Sequence, residues 1–143
     1  MSVKRKYIVA VEDNQDHQLL LARAINKSIT SPDILMLNDG AELLEWLRLG
    51  QVRAPDLIIL DLKMPKINGF EVLRTLKSTS LKTVPVLVMS TSLLKSDIRK
   101  AYELGCASYI SKSENIMRWS SLVLETVNYW LNCNKTLESV GLH

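Results

Sequence analysis

Read for apolar and polar positions, the chain contains five short apolar runs: Tyr7–Val11, Asp33–Leu37, and residues 56–60, 85–89 and 107–110. Each has the length of a strand. Several are rich in Val and Ile, whose branched side chains fit a pleated surface. The first, third and fourth are almost wholly apolar, the pattern of strands covered on both faces. Between the runs, apolar residues recur at three- and four-residue spacing, which predicts helices with one buried stripe. Leu19, Leu20, Ala24, Ile25 and Ile29 mark the first helix, and Leu43, Leu44, Leu47 and Val52 the second. Phe70, Val72, Leu73 and Leu76 mark the third. Ile98, Ala101, Tyr102 and Leu104 mark the fourth, closed by Gly105 at a C-cap position. The fifth carries Ile116, Trp119, Val123, Val127, Trp130 and Leu131. Ser31-Pro32, Asn38-Asp39-Gly40, Ala54-Pro55 and Val84-Pro85 separate the elements.

Strand and helix therefore alternate five times. Parallel neighbours need crossover helices, and right-handed crossovers wind those helices onto both faces. The expected fold is α/β: a doubly wound five-stranded parallel sheet of the flavodoxin-like kind. Ligands of such sheets sit outside the carboxyl ends of the strands. At 143 residues the chain is expected to be one domain, 1–143, with its core over about 6–131 and a C-terminal tail over 132–143. A domain near that length hides roughly 70% of its unfolded surface, enough for a full core.

Composition narrows the classes. Hydrophobic residues at 47% and charged residues at 23% are ordinary for a soluble globular protein. A net charge of +3 is too small to argue for nucleic acid or a membrane surface, and Lys4-Arg5-Lys6 reads as a solvated start to the first strand. No apolar run approaches the ~20 residues of a membrane span. The acidic pair at Glu12-Asp13 comes too early for a signal peptide. Cys106 and Cys133 lack metal-site spacing and read as free thiols of a reducing compartment, so a cytoplasmic location is expected.

The candidate chemistry stands at the strand ends. The first strand runs into Glu12-Asp13, the third into Asp61, the fourth into Ser90-Thr91, and the fifth, after Ser111, into Lys112. Three carboxylates converging on one rim repel each other, and a bound cation is the usual remedy. A few hard oxygen ligands with room for water and phosphate oxygens describe Mg²⁺. A lysine on the same rim holds a phosphoryl or carboxylate oxygen as a point charge. Carboxylate nucleophile, metal, cation and a hydroxyl from Ser90 or Thr91 make a site for phosphoryl transfer.

Glu12-Asp13, Asp61 followed by Met64-Pro65 and Asn68-Gly69, Ser90-Thr91 and Lys112, in that order on strands one, three, four and five, resemble the CheY-like receiver domain of two-component response regulators. The resemblance implies that Asp61 is a phosphoacceptor that attacks a phosphohistidine on a histidine kinase. It implies that Asp13, Asp61 and the backbone carbonyl of Lys63 ligate Mg²⁺, with Glu12 helping through water. Lys112 would pair with the phosphoryl group or with Asp61. Ser90 stands at the family's switch hydroxyl and Tyr109 at its switch aromatic. Their movement would reshape the face made by the fourth helix, fifth strand and fifth helix. Ser113 stands where the family commonly has a proline in a cis peptide, and a cis bond before serine costs ~3 kcal/mol. The run Lys112-Ser113-Glu114-Asn115, the long loop over 49–55 and the aromatic last helix with Trp130 are similar to small single-domain regulators that partner cyanobacterial phytochrome kinases.

The expected function is a phosphorelay receiver that signals through protein contacts. A homodimer through the fourth helix, fifth strand and fifth helix would use the apolar stripe of the last helix. The dozen residues after the core cannot form a helix-turn-helix, so direct DNA binding is not expected. A metabolic aspartyl-phosphate phosphatase is disfavoured: the haloacid-dehalogenase type places a general-acid aspartate two residues after the nucleophile, where this chain has Lys63. An adaptor that works without phosphorylation is the other alternative. His17 reads as an exposed helix residue, Trp119 and Trp130 as core or dimer contacts, and His143 as a residue of the tail.

Overall fold

In the computed structural model, which describes residues 5–50, 53–112 and 115–134, the apolar runs are five parallel strands in one sheet. They are β1 Tyr7–Val11, β2 Asp33–Leu37, β3 Leu57–Asp61, β4 Val86–Ser90 and β5 Ser108–Ser111. The spatial order is β2-β1-β3-β4-β5, so the chain reverses direction across the sheet between β1 and β3. The helices are α1 Gln15–Asn26, α2 Gly40–Leu49, α3 Gly69–Lys77, α4 Lys95–Glu103 and α5 Ile116–Asn128, the last continued by a π-turn, Tyr129–Cys133. Val52, Ser113, Glu114 and His143 lie outside the described residues, and with them the Lys112–Ser113 peptide and the end of the tail. No described helix is long and apolar enough to cross a membrane.

Strands β3, β4 and β5 each begin and end one residue later than the apolar runs predict. Polarity misplaces these ends, because the ladder continues through the polar residue. Leu62 N donates to Met89 O at 3.0 Å and Lys112 N to Ser90 O at 2.8 Å. Asp61 and Ser90 are thus the last residues of their strands, Asp61 in register with Met89 of β4 and Ser90 with Ser111 of β5.

Strand alternation sorts the core into two layers. Val9, Val11, Ile58, Leu60, Val86 and Val88 face a layer built from α2, α3 and α4, with Leu43, Phe70, Leu73, Leu76 and Ala101. Ile8, Ala10, Leu57, Ile59, Leu87, Met89 and Ile110 face α1 and α5, with Leu21, Ile25, Trp119, Val123, Val127 and Leu131. Fully burying an aliphatic side chain of this size stabilises by about 1.5–3 kcal/mol, so both layers contribute heavily.

Three expected helix stripes differ from the structure; in α4 only Ala101 is buried and Tyr102 is exposed. In α1 the buried residues are Leu21, Ala24 and Ile25, whereas Leu19 is 59% and Ile29 71% exposed. The helix ends at Asn26, so Ile29 lies past it, where its N–H donates to Asn128 Oδ1 at 2.8 Å. The stripe of the last helix is turned inward: Trp119, Val123, Val127 and Leu131 are buried within this chain, and Trp130 Nε1 donates to Ser108 Oγ at 3.2 Å. Gly105 does close α4 as its position suggests. Its φ is 97°, and Cys106 N reaches back to Ala101 O at 3.0 Å.

Candidate functional site

Parity also builds the site. Continuing by twos from the apolar residues of the α1/α5 face gives Glu12 after Ile8 and Ala10, Asp61 after Leu57 and Ile59, and Lys112 after Ile110. All three side chains therefore leave the strand ends on the same face. Ser90 follows Val86 and Val88, and Tyr109 packs in the same layer, so this pair belongs to the α3/α4 side.

The loop after β3 holds Asp61 from below. Lys63 N donates to Asp61 Oδ1 at 3.0 Å. Asn68 caps α3 by accepting from Phe70 N at 2.7 Å, and Gly69 N donates to Leu62 O at 3.2 Å. That close approach needs a glycine. A Cβ on Gly69 would meet Leu62 Cα at 2.6 Å and the carbonyls of Asp61 and Leu62 at 2.9 Å.

Lys112 bridges two buried carboxylates. Its Nζ donates to Asp61 Oδ2 at 2.9 Å and to Glu12 Oε1. Glu12 is fully buried, Asp61 is 4% and Lys112 8% exposed. Burial pushes the Glu12 carboxyl up to about 7, against the lowering pull of Lys112. Burial opposes the charge of Lys112, but Asp61 and Glu12 outweigh it and hold the ammonium above its ordinary range. Asn14 N donates to Glu12 Oε2 at 3.1 Å, completing the partners of that carboxylate.

Carboxylate oxygens of Glu12, Asp13 and Asp61 lie within 4.8 Å of one another, with Asp13 exposed to solvent. This all-oxygen set, open on one side, fits a hard divalent cation that keeps part of its water shell. The residues rim an open depression of about 210 Å³ lined by Glu12, Asp13, Asn14, His17, Asp61, Lys63, Thr91 and Lys112. A larger hollow of about 400 Å³ on the flank of α1 is lined by Gln15, Gln18, Leu19, Ala22 and Met36 and offers no charged group.

The hydroxyls divide. Thr91 is the one that lines the depression. Ser90 is fully buried, and its Oγ accepts from Ser92 N at 3.0 Å. Tyr109 OH donates to Ser92 O at 2.8 Å, so Ser92 joins the two switch candidates. Ser92 Oγ in turn donates to Asp97 Oδ2 at 2.6 Å, and Lys63 Nζ pairs with the same oxygen at 3.5 Å.

His17 departs from its reading as an exposed helix residue. Its side chain is 29% exposed, lines the depression and stands 3.3 Å from Lys112 Nζ through Nδ1. The signal was present in the chain. Asn14 caps α1 by accepting from His17 N at 3.0 Å, which puts His17 in the first turn. Helical side chains lean toward the N-terminus, so a first-turn residue overhangs the strand end that precedes it.

Comparison with known proteins agrees with this geometry. The model of the response regulator receiver domain matches residues 8–123. The chain is 37% identical over 133 residues to the probable methanogenesis regulatory protein FilR2 of Methanothrix harundinacea, spanning 90% of this chain and 86% of that protein. It is 33% identical over 131 residues to response regulator Rcp1 of Synechocystis, spanning 88% and 89%. Among solved structures, the phosphorylated cyanobacterial phytochrome response regulator RcpA superposes with a TM-score of 0.86 at 36% identity, covering 93% of this chain and 99% of that one. The Mn²⁺-bound form of Rcp1 superposes with a TM-score of 0.85 at 31% identity, covering 92% and 98%. Family match, fold and the ordered strand-end residues converge: the chain belongs to the response regulator receiver domain family.

Proposed function

We propose that this receiver accepts a phosphoryl group on Asp61 from a histidine kinase and passes the signal on by changing its protein contacts. The observation that carries the proposal is the environment of Asp61. It is a buried strand-end carboxylate with an ammonium at 2.9 Å and two further carboxylates gathered beside it. In the reaction an Asp61 oxygen bonds to phosphorus as the P–N bond to the kinase imidazole breaks and the imidazole leaves. Lys112 neutralises charge on the transferred group. Glu12, Asp13, Asp61 and the backbone carbonyl of Lys63 would hold Mg²⁺, which supplies charge neutralisation and orientation of phosphoryl oxygens.

Ser90 and Tyr109 serve as the switch, and their common contact with Ser92 supports that role. A hydroxyl drawn toward a new dianion at Asp61 would disturb Ser92 and so the tyrosine. The change would be a shift of population between two arrangements. The kinase is of phytochrome type, a reading supported by the likeness to Rcp1 and RcpA. Output goes through protein contacts, in the cytoplasm. A homodimer through α4, β5 and α5 would draw on the exposed Leu94, at the N-cap of α4, and Tyr102 of α4, since the α5 stripe is spent inside the chain.

Intact-mass spectrometry after incubation with acetyl phosphate tests the reading. One phosphoryl adduct that requires Mg²⁺ and is lost in Asp61→Asn is expected. No adduct under any condition would turn the reading to an adaptor that works without phosphorylation.

A further inference from the structure

Three donors of one ammonium meet three acceptors in the cleft. Lys112 Nζ faces Glu12 Oε1, Asp61 Oδ2 at 2.9 Å and His17 Nδ1 at 3.3 Å. An ammonium has three N–H groups and no lone pair, so the ring nitrogen that meets it accepts, and the ring proton sits on Nε2. The same Nδ1 lies 3.6 Å from Glu12 Oε1, beyond a hydrogen bond, as two acceptors should.

The imidazole is held from behind. Its backbone N–H is tied to the Asn14 cap, and its ring lies against Trp119 of α5 with centroids 5.4 Å apart at 49°. Trp119 is fully buried and also underlies Lys112, whose Nζ stands 5.5 Å from the ring centroid. Helices α1 and α5 thus flank the ammonium that β1 and β3 engage from the strand ends.

The three acceptors are not equivalent in use. Asp61 is the group assigned to react, and Glu12 is among those assigned to a metal, so the bonding of both changes in the reaction. His17 has neither task. Resting on the phosphoacceptor reading, we propose that His17 is a positioning residue. Its Nδ1 anchors Lys112 so that the ammonium stays aimed at the reacting oxygen while the charge on Asp61 changes.

Two variants separate anchoring from packing. His17→Phe keeps a ring against Trp119 and removes the acceptor. His17→Asn removes the ring and keeps an acceptor near the position of Nδ1. At saturating Mg²⁺ the phosphorylation rate with acetyl phosphate should fall in His17→Phe by roughly ten- to a hundredfold, the scale of one hydrogen bond to a charged group, and recover in His17→Asn. In the metal-free protein the ¹⁵N resonance of the Lys112 ammonium should move in His17→Phe and return toward the parent in His17→Asn. Mg²⁺ affinity without a phosphodonor, followed by calorimetry, should match the parent in both variants. Equal rates in parent and His17→Phe overturn the proposal and leave the phosphoacceptor reading standing. So does a loss confined to His17→Asn, which would mark a packing role. A drop in Mg²⁺ affinity matching the drop in rate would make His17 a metal ligand and also overturn it. A parent that takes no phosphoryl group overturns both readings.

Discussion

Lys112 Nζ stands 2.9 Å from Asp61 Oδ2, with the two side chains only 6% and 5% exposed. Charges this deep are stable only as a set. Their desolvation is offset by mutual attraction, and removing one partner leaves the others buried and unpaired. Lys112→Met is expected to lower the stability of the metal-free protein by about 3 kcal/mol. Urea unfolding with and without Mg²⁺ measures it, and the metal should recover part of the loss. An unchanged midpoint in both conditions would mean that the carboxylates do not depend on this cation.

The turn after β3 predicts a second sensitivity. A Cβ on Gly69 has only backbone to meet, at 2.6 Å, and backbone cannot swing aside. Gly69→Ala should destabilise by about 1–3 kcal/mol and slow phosphorylation, because the atoms it displaces belong to Asp61 and Leu62. Gly50→Ala is the control. Its φ of 76° makes the change strained, but the space around it is open, so only stability should fall.

The thiols should react at different rates. Cys133 is exposed, while Cys106 is buried and burial pushes its thiol up to about 11. At pH 8 such a thiol is roughly a thousandth thiolate, and the thiolate is the nucleophile. Native protein should therefore show one fast and one slow thiol toward a disulfide reagent. The slow one should quicken as pH rises toward 11, and both should be fast in denaturant. Two fast thiols in the native state would contradict the packing of Cys106 between α4 and β5.

The sheet was legible because strands buried on both faces are written as unbroken apolar runs. The gathering of Glu12, Asp13, Asp61 and Lys112 was legible because parallel strands put their carboxyl ends on one rim. What failed was reading from spacing which helix residues face inward. Leu19 and Leu21 are equally apolar, and only the packing of α1 against α5 chooses Leu21. Trp130 looked free for a partner because the hydrogen bond that ties it to Ser108 spans 22 positions. His17 was passed over for a similar reason. Its meaning comes from Lys112, which is 95 residues away in the chain. Ser90 and Thr91 are distinguished by strand parity, which needs the observed end of β4.

If Asp61 is the phosphoacceptor, the group can be found directly on the unmodified chain. An acyl phosphate on a carboxylate is reduced by borohydride to the alcohol, so phosphorylated Asp61 becomes homoserine. Treatment with acetyl phosphate and Mg²⁺, then borohydride, then peptide mass mapping should give homoserine at residue 61 alone. Homoserine at residue 13, or none anywhere, would rule out Asp61 as the phosphoacceptor.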